Sequence, residues 1–126
     1  MLNKGLRDEK KVKIDTMLST LLSLVFVPKF WIIEDISLVD NLLTNFELTV
    51  DILKQIEEKD LILLLDKHEM DWAQKEQFAD FLLAFSKENP FDLSIKSIAI
   101  YEHIQSVSKT FSFEIFSKIA SAKANL

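Results

Sequence analysis

The chain has two histidines, His68 and His103, and no cysteine, so a metal site or an imidazole-assisted reaction would have to be built on one of these two residues. His68 precedes Glu69 in the run DKHEMDW, the first half of a zinc-protease helix, but the second histidine that such a helix needs four residues on is Trp72. No Glu-x-x-His pair occurs, which removes a carboxylate di-iron bundle, and no His-Asp dipeptide serves a helical metal phosphohydrolase. His68 is therefore expected to be a solvated helix-end residue whose charge suits a C-terminus, and His103, beside Glu102, a structural residue. No metal is expected.

Carboxylates are paired at Glu34 with Asp35, at Glu57 with Glu58 and Asp60, and at Asp66 with Glu69. Acid–base catalysis needs one such carboxyl raised by burial beside another, whereas these fall at expected helix ends, where solvation and capping are the natural roles. Serine chemistry fares no better. There is no Gly-x-Ser-x-Gly, and Ser94 to Ser97 reads Ser-Ile-Lys-Ser, without the Ser-x-x-Lys spacing. Gly5 is the only glycine, so neither phosphate-binding fingerprint can be assembled. The expectation is a protein with no catalytic residue and no cofactor.

Charge is uneven beneath a net of −5. Residues 1–29 carry six bases and three acids, residues 30–102 six bases and sixteen acids, and residues 103–126 three bases and one acid. Arg7 is the only arginine, so the bidentate contacts that read phosphate and guanine are almost absent, and nucleic acid is not an expected partner. The longest uncharged stretch, Thr16 to Pro28, is shorter than the ~20 residues that a membrane helix needs, and no membrane span is expected. Lys10, Lys11 and Lys13 precede that stretch as in a secretory leader, but Asp8, Glu9 and Asp15 interrupt the basic region and no small-x-small cleavage pattern follows Val27. The stretch is read as part of the fold, and the protein as cytoplasmic.

The elements that would position these residues follow from composition. One glycine and two prolines in 126 residues, against ordinary usage of roughly 7% and 5%, leave little to punctuate β-turns. An all-α fold is expected, a single helical domain over residues 1–126 of about six antiparallel helices, as an irregular bundle or α-hairpin stack. No internal repeat of about 30 to 45 residues is found. Apolar spacing and capping residues place helices at 7–26, 38–58, 61–68, 72–87, 90–108 and 112–124, with residues 28–36 a connector containing at most a helical turn. The caps are Ser37 with Asp40, Asp60, Asp71 with Gln74, Asn89 with Pro90, and Ser112, the last joined by a Phe111–Phe116 staple. Thr44 with Glu47 offers a second cap, so a break near residue 45 is the alternative to one long helix.

The 90–108 helix has two apolar rows, Phe91, Ile95 and Ile98 on one side and Leu93, Ile100, Ile104 and Val107 on the other, which predicts packing on two sides. The 72–87 helix is apolar nearly all round. Phe78, Phe81, Leu83 and Phe85 are the candidate interaction surface, with a central position in the core as the competing reading. The functional expectation is a non-catalytic helical protein–protein interaction domain that binds a protein partner and self-associates as a dimer. One alternative is an acidic inhibitor or immunity-type protein that binds a basic protein target through residues 30–102. A further alternative is an enzyme whose site a single sequence does not reveal.

Overall fold

The computed structural model describes residues 2–26, 33–88, 92–108 and 112–124. They form α1 (Leu2–Phe26), α2 (Ile33–Leu43), a 3-10 turn (Thr44–Phe46), α3 (Val50–Gln55), α4 (Glu58–Lys67), α5 (Trp72–Glu88), α6 (Ser94–Ser108) and α7 (Phe113–Ala124), with no strand among the described residues. The fold is all-α.

α5 is the axis of the molecule, packed against α1 and α6. At one end the Gln74 amide donates to the Lys11 carbonyl (3.2 Å) and the Asp15 carboxylate (2.9 Å), and at the other Val25 faces Leu83 and Ala84, so α1 runs parallel to α5. α6 runs the opposite way. Its Ser97 hydroxyl donates to the Ala79 carbonyl at 2.8 Å, and its His103 ring lies 5.7 Å from that of Trp72, at the start of α5.

This placement decides the fate of the apolar excess on α5. Phe78, Phe81 and Phe85 are 0% exposed and continue a ring series from Phe46, with centroids 6.4, 6.2 and 5.6 Å apart in edge-on and tilted arrangements. The three rings therefore belong to the interior, not to a surface, because a helix covered by neighbours on opposite sides has little outer face to leave open. Leu83 alone of the four candidates reaches the surface, and only in part.

The long helix expected over 38–58 is broken. α2 begins by Ile33, which puts Ser37 inside it, and ends in a turn where Glu47 adopts φ 62°. The Glu47 amide donates to the Thr44 carbonyl and the Leu48 amide to the Leu43 carbonyl, both at 3.1 Å, while the buried Leu43 and Leu48 close the motif as a Schellman cap. α4 ends the same way. Glu69 takes φ 61°, its amide donates to Asp66, and the Met70 amide donates to Leu65. The left-handed position that favours glycine is filled by glutamate both times. α3 then starts afresh with Thr49, whose hydroxyl accepts from the Ile52 amide at 3.1 Å, and Asp40 reaches over from α2 to accept from the Val50 amide at 2.8 Å.

Elsewhere the capping residues act as expected or shift by a few positions. Asp71 and Gln74 exchange reciprocal bonds of 2.8 and 3.0 Å at the start of α5, and Ser112 accepts from the Ile115 amide at 3.2 Å. α4 begins at Glu58, with Asp60 in its first turn. α6 begins at Ser94, where Asp92 accepts from the Ser94 amide at 3.1 Å, rather than at residue 90. Asn89, Pro90, Phe91 and Phe111 lie outside the described residues, as does most of the 28–36 connector. Burial of α6 holds in its middle, at Ile98, Ile100, Tyr101 and Ile104, while Ile95 and Val107 at its ends are each 55% exposed.

Candidate functional site

α7 has two faces of opposite character. Ile115 and Ala122 are buried, at 4% and 0% exposure, and Ile119 is half-buried against the core. On the other side Phe113, Phe116, Ser117, Ala120, Ser121 and Ala124 are all exposed. They follow i, i+3, i+4, i+7, i+8 and i+11, a continuous stripe three turns long without an acid or a base. Phe113 is 81% and Phe116 57% exposed, two large rings at the N-terminal end of a stripe otherwise made of alanine and serine.

The orientation of that stripe is set by the charged cluster at the flank of α7. The Lys118 ammonium lies 2.6 Å from Glu76 Oε2 and 3.0 Å from Asp80 Oδ1, both on α5, and 5.9 Å from the centre of the Tyr101 ring on α6. The Tyr101 hydroxyl donates to Asp80 Oδ1 at 2.5 Å. Three helices are thereby tied at one point, and rotation of α7 about its axis would break the contacts that Lys118 makes with α5 and α6. Burial and the bond to Asp80 hold the Tyr101 hydroxyl far above its ordinary range. For Lys118, burial opposes the charge, but the bonds to Glu76 and Asp80 outweigh it and raise its pKa.

Chemically, this cluster anchors and does not activate. A nucleophile needs a lowered pKa or a base to take its proton, whereas Tyr101 is held protonated by an acceptor that Lys118 also engages. A cleft of about 460 Å³ opens beside the cluster, between Val25 of α1, Leu83, Ala84 and Lys87 of α5, and Ser117 and Ser121 of α7. Leu83, half-buried, lines this cleft.

The histidines are separated in role. His68 is tucked in, not solvated: its side chain is 20% exposed, Nε2 lies 3.0 Å from Glu47 Oε2, and its ring meets Phe46 edge-on at 5.8 Å. Hydrogen bonds from Lys67 and His68 lower the Glu47 pKa. His103 Nε2 is enclosed without a hydrogen-bond partner. Burial, followed by the nearby Lys75 charge, lowers its pKa against an opposing effect of Asp66. Among the described residues no group of three His, Asp or Glu side chains is arranged to hold a metal ion. Three of the paired acids find partners: Asp66 with Lys75, Glu69 with Lys10 at 3.3 Å and Glu57 with Lys59 at 3.9 Å.

The helix expected at 112–124 is α7, but sequence reasoning missed its outward stripe and its anchor. The uncharged stripe was readable as a helical series opposite Ile115, Ile119 and Ala122, while no spacing rule joins Lys118 to Glu76 and Asp80 across about forty residues. No helix among the described residues is long and apolar enough to cross a membrane. Compared with protein-family models, curated proteins and solved structures, the chain matches none.

Proposed function

We propose that this chain is a non-catalytic helical protein–protein interaction domain that self-associates through the outward stripe of α7. The observation that carries this reading is the exposure of Phe113 and Phe116 on a helix face without charge, held outward by the Lys118 cluster. The exposed fraction of a large ring costs free energy that covering it recovers, and an uncharged stripe can be covered without desolvating an ion. The chemistry-bearing groups support the same reading, since Tyr101, Asp80 and Lys118 spend their bonding capacity on one another.

Sedimentation at rising concentration tests it. The wild-type protein should form a dimer that persists in 1 M salt, where screening shortens charge interactions to ~3 Å but leaves apolar burial intact. Phe113→Glu should be monomeric with an unchanged helical spectrum, because the ring lies mostly outside the core. A wild-type protein that stays monomeric at every concentration, or a Phe113→Glu variant that still dimerises, would remove this surface as the site of self-association.

A further inference from the structure

We infer that two copies pair through α7 in antiparallel register, about a two-fold axis that passes midway between Ser117 and Ala120. This rests on the self-association proposed above and specifies its geometry.

The argument begins with the distribution of size along the stripe. Both rings, Phe113 and Phe116, stand at its N-terminal end, and the small side chains Ala120, Ser121 and Ala124 at its C-terminal end. A parallel pair would set ring against ring at one end and leave alanines and serines facing across a gap at the other. An antiparallel pair about the stated axis brings Phe113 over Ala124 of the second copy, Phe116 over Ser121, and Ser117 over Ala120. All six positions of the stripe map onto stripe positions, and each ring meets a small residue. That is the self-complementarity an isologous two-fold contact requires, and it suits the 8–10 Å at which helices pack. Antiparallel helix dipoles favour the same arrangement.

Charge points to a second copy as well. The molecule is acidic overall, with a net of −5, and its acids concentrate in residues 30–102. A copy that approached that region would meet like charge, whereas the α7 stripe carries none and residues 103–126 hold three bases and one acid. The area sets the strength of the contact. Rings that bury about 150–250 Å² each when fully covered contribute roughly 250 Å² per copy at these exposures, and the four small residues add less. The total falls short of the ~800 Å² per partner of a standard interface, which makes the dimer weak and concentration-dependent.

The absence of cysteine from the chain makes the register directly readable. Phe113→Cys and Ala124→Cys variants are oxidised separately and as an equimolar mixture, and the products are counted by intact mass. The mixture should give the mixed disulfide well in excess of either homodimer. Ser117→Cys mixed with Ala120→Cys, which keeps both rings, should also cross-link, and a cysteine at the exposed Ser106 of α6 supplies the background. Efficient self-cross-linking of Phe113→Cys and of Ala124→Cys would establish parallel pairing and overturn the register. Cross-linking of both mixtures no better than the Ser106→Cys background, in a wild-type protein that sediments as a dimer, would place the contact elsewhere. A wild-type monomer would instead refute the self-association on which the inference rests.

Discussion

Lys75 and Asp66 form an ion pair with one dry end and one wet end, and the asymmetry predicts which partner the fold can lose. The lysine side chain is 5% exposed and the aspartate 48%, and the ammonium also lies 4.3 Å from the centre of the Trp72 ring. Removing one partner of a fully buried pair costs about 3–5 kcal/mol, because the other charge is left unpaired in a medium that cannot solvate it. Asp66→Ala strands the dry charge. The aspartate is half in water, so the pair is weaker than a fully buried one, and the Trp72 face retains ~0.5–2 kcal/mol of attraction for the ammonium. The expected loss is therefore about 1–3 kcal/mol.

Lys75→Met removes the dry charge instead and leaves the carboxylate beside water that it already contacts. An unbranched apolar side chain can occupy the lysine's path, so the loss should stay below about 1 kcal/mol. Urea titrations followed by circular dichroism decide between the two. With m values of about 1–3 kcal/mol/M, a 2 kcal/mol loss moves the midpoint down by roughly 1 M, well outside error. If Lys75→Met proved as damaging as Asp66→Ala, the exposed carboxylate would not be what compensates the buried ammonium, and the reasoning would fail.

Two pH dependences follow from the same structure. His103 and Glu47 have folded pKa values below their ordinary 6.5 and 4.5, so the stability each contributes is present above those values and is lost as pH falls from them through the folded pKa. Urea midpoints should decline first just below pH 6.5 and again below pH 4.5, and His103→Gln should remove the first decline only; an unchanged first decline in that variant would exonerate His103. Tyr101 and Lys118 have raised values, so their contribution is complete below their ordinary 10.0 and 10.5 and is lost as pH rises through the folded pKa. Tyr101→Phe should be less stable than the wild type at pH 8 and should lose less on passing from pH 9.5 to 11, whereas parallel curves would show that the hydroxyl is not the group titrating.

The helical class was legible because it rests on counts and caps that act locally. Asp71 with Gln74, and Ser112 ahead of Ile115, cap their helices as read, since a side chain two or three residues from the amide it serves needs no tertiary partner. The break after α2 is concealed by the residues that make it. A left-handed position is recognised by glycine or asparagine, and here Glu47 occupies it, secured by Lys67 and His68 from the end of α4. The apolar series Val39, Leu43, Phe46, Val50 and Leu53 keeps helical spacing through the break because all five side chains reach the same core.

Three of the four candidate-surface residues are buried for a related reason. The count of apolar side chains correctly indicated more than one face to be covered, but a count cannot say which helix lies at the centre. α5 carries Phe78, Phe81 and Phe85 into the interior because α1 runs parallel along one side of it and α6 antiparallel along another, an arrangement set by contacts dozens of residues apart. α7 has the smaller apolar complement, yet it lies at the edge of the bundle, bound to α5 and α6 at the Lys118 cluster, and its Phe113 and Phe116 remain outside. Exposure is thus decided by position in the packing order, not by how hydrophobic a helix reads. A charge placed at Leu83, in the lining of the cleft, and one placed at Phe113 accordingly probe different things: the first tests packing of α5 against α1 and α7, and the second tests association alone.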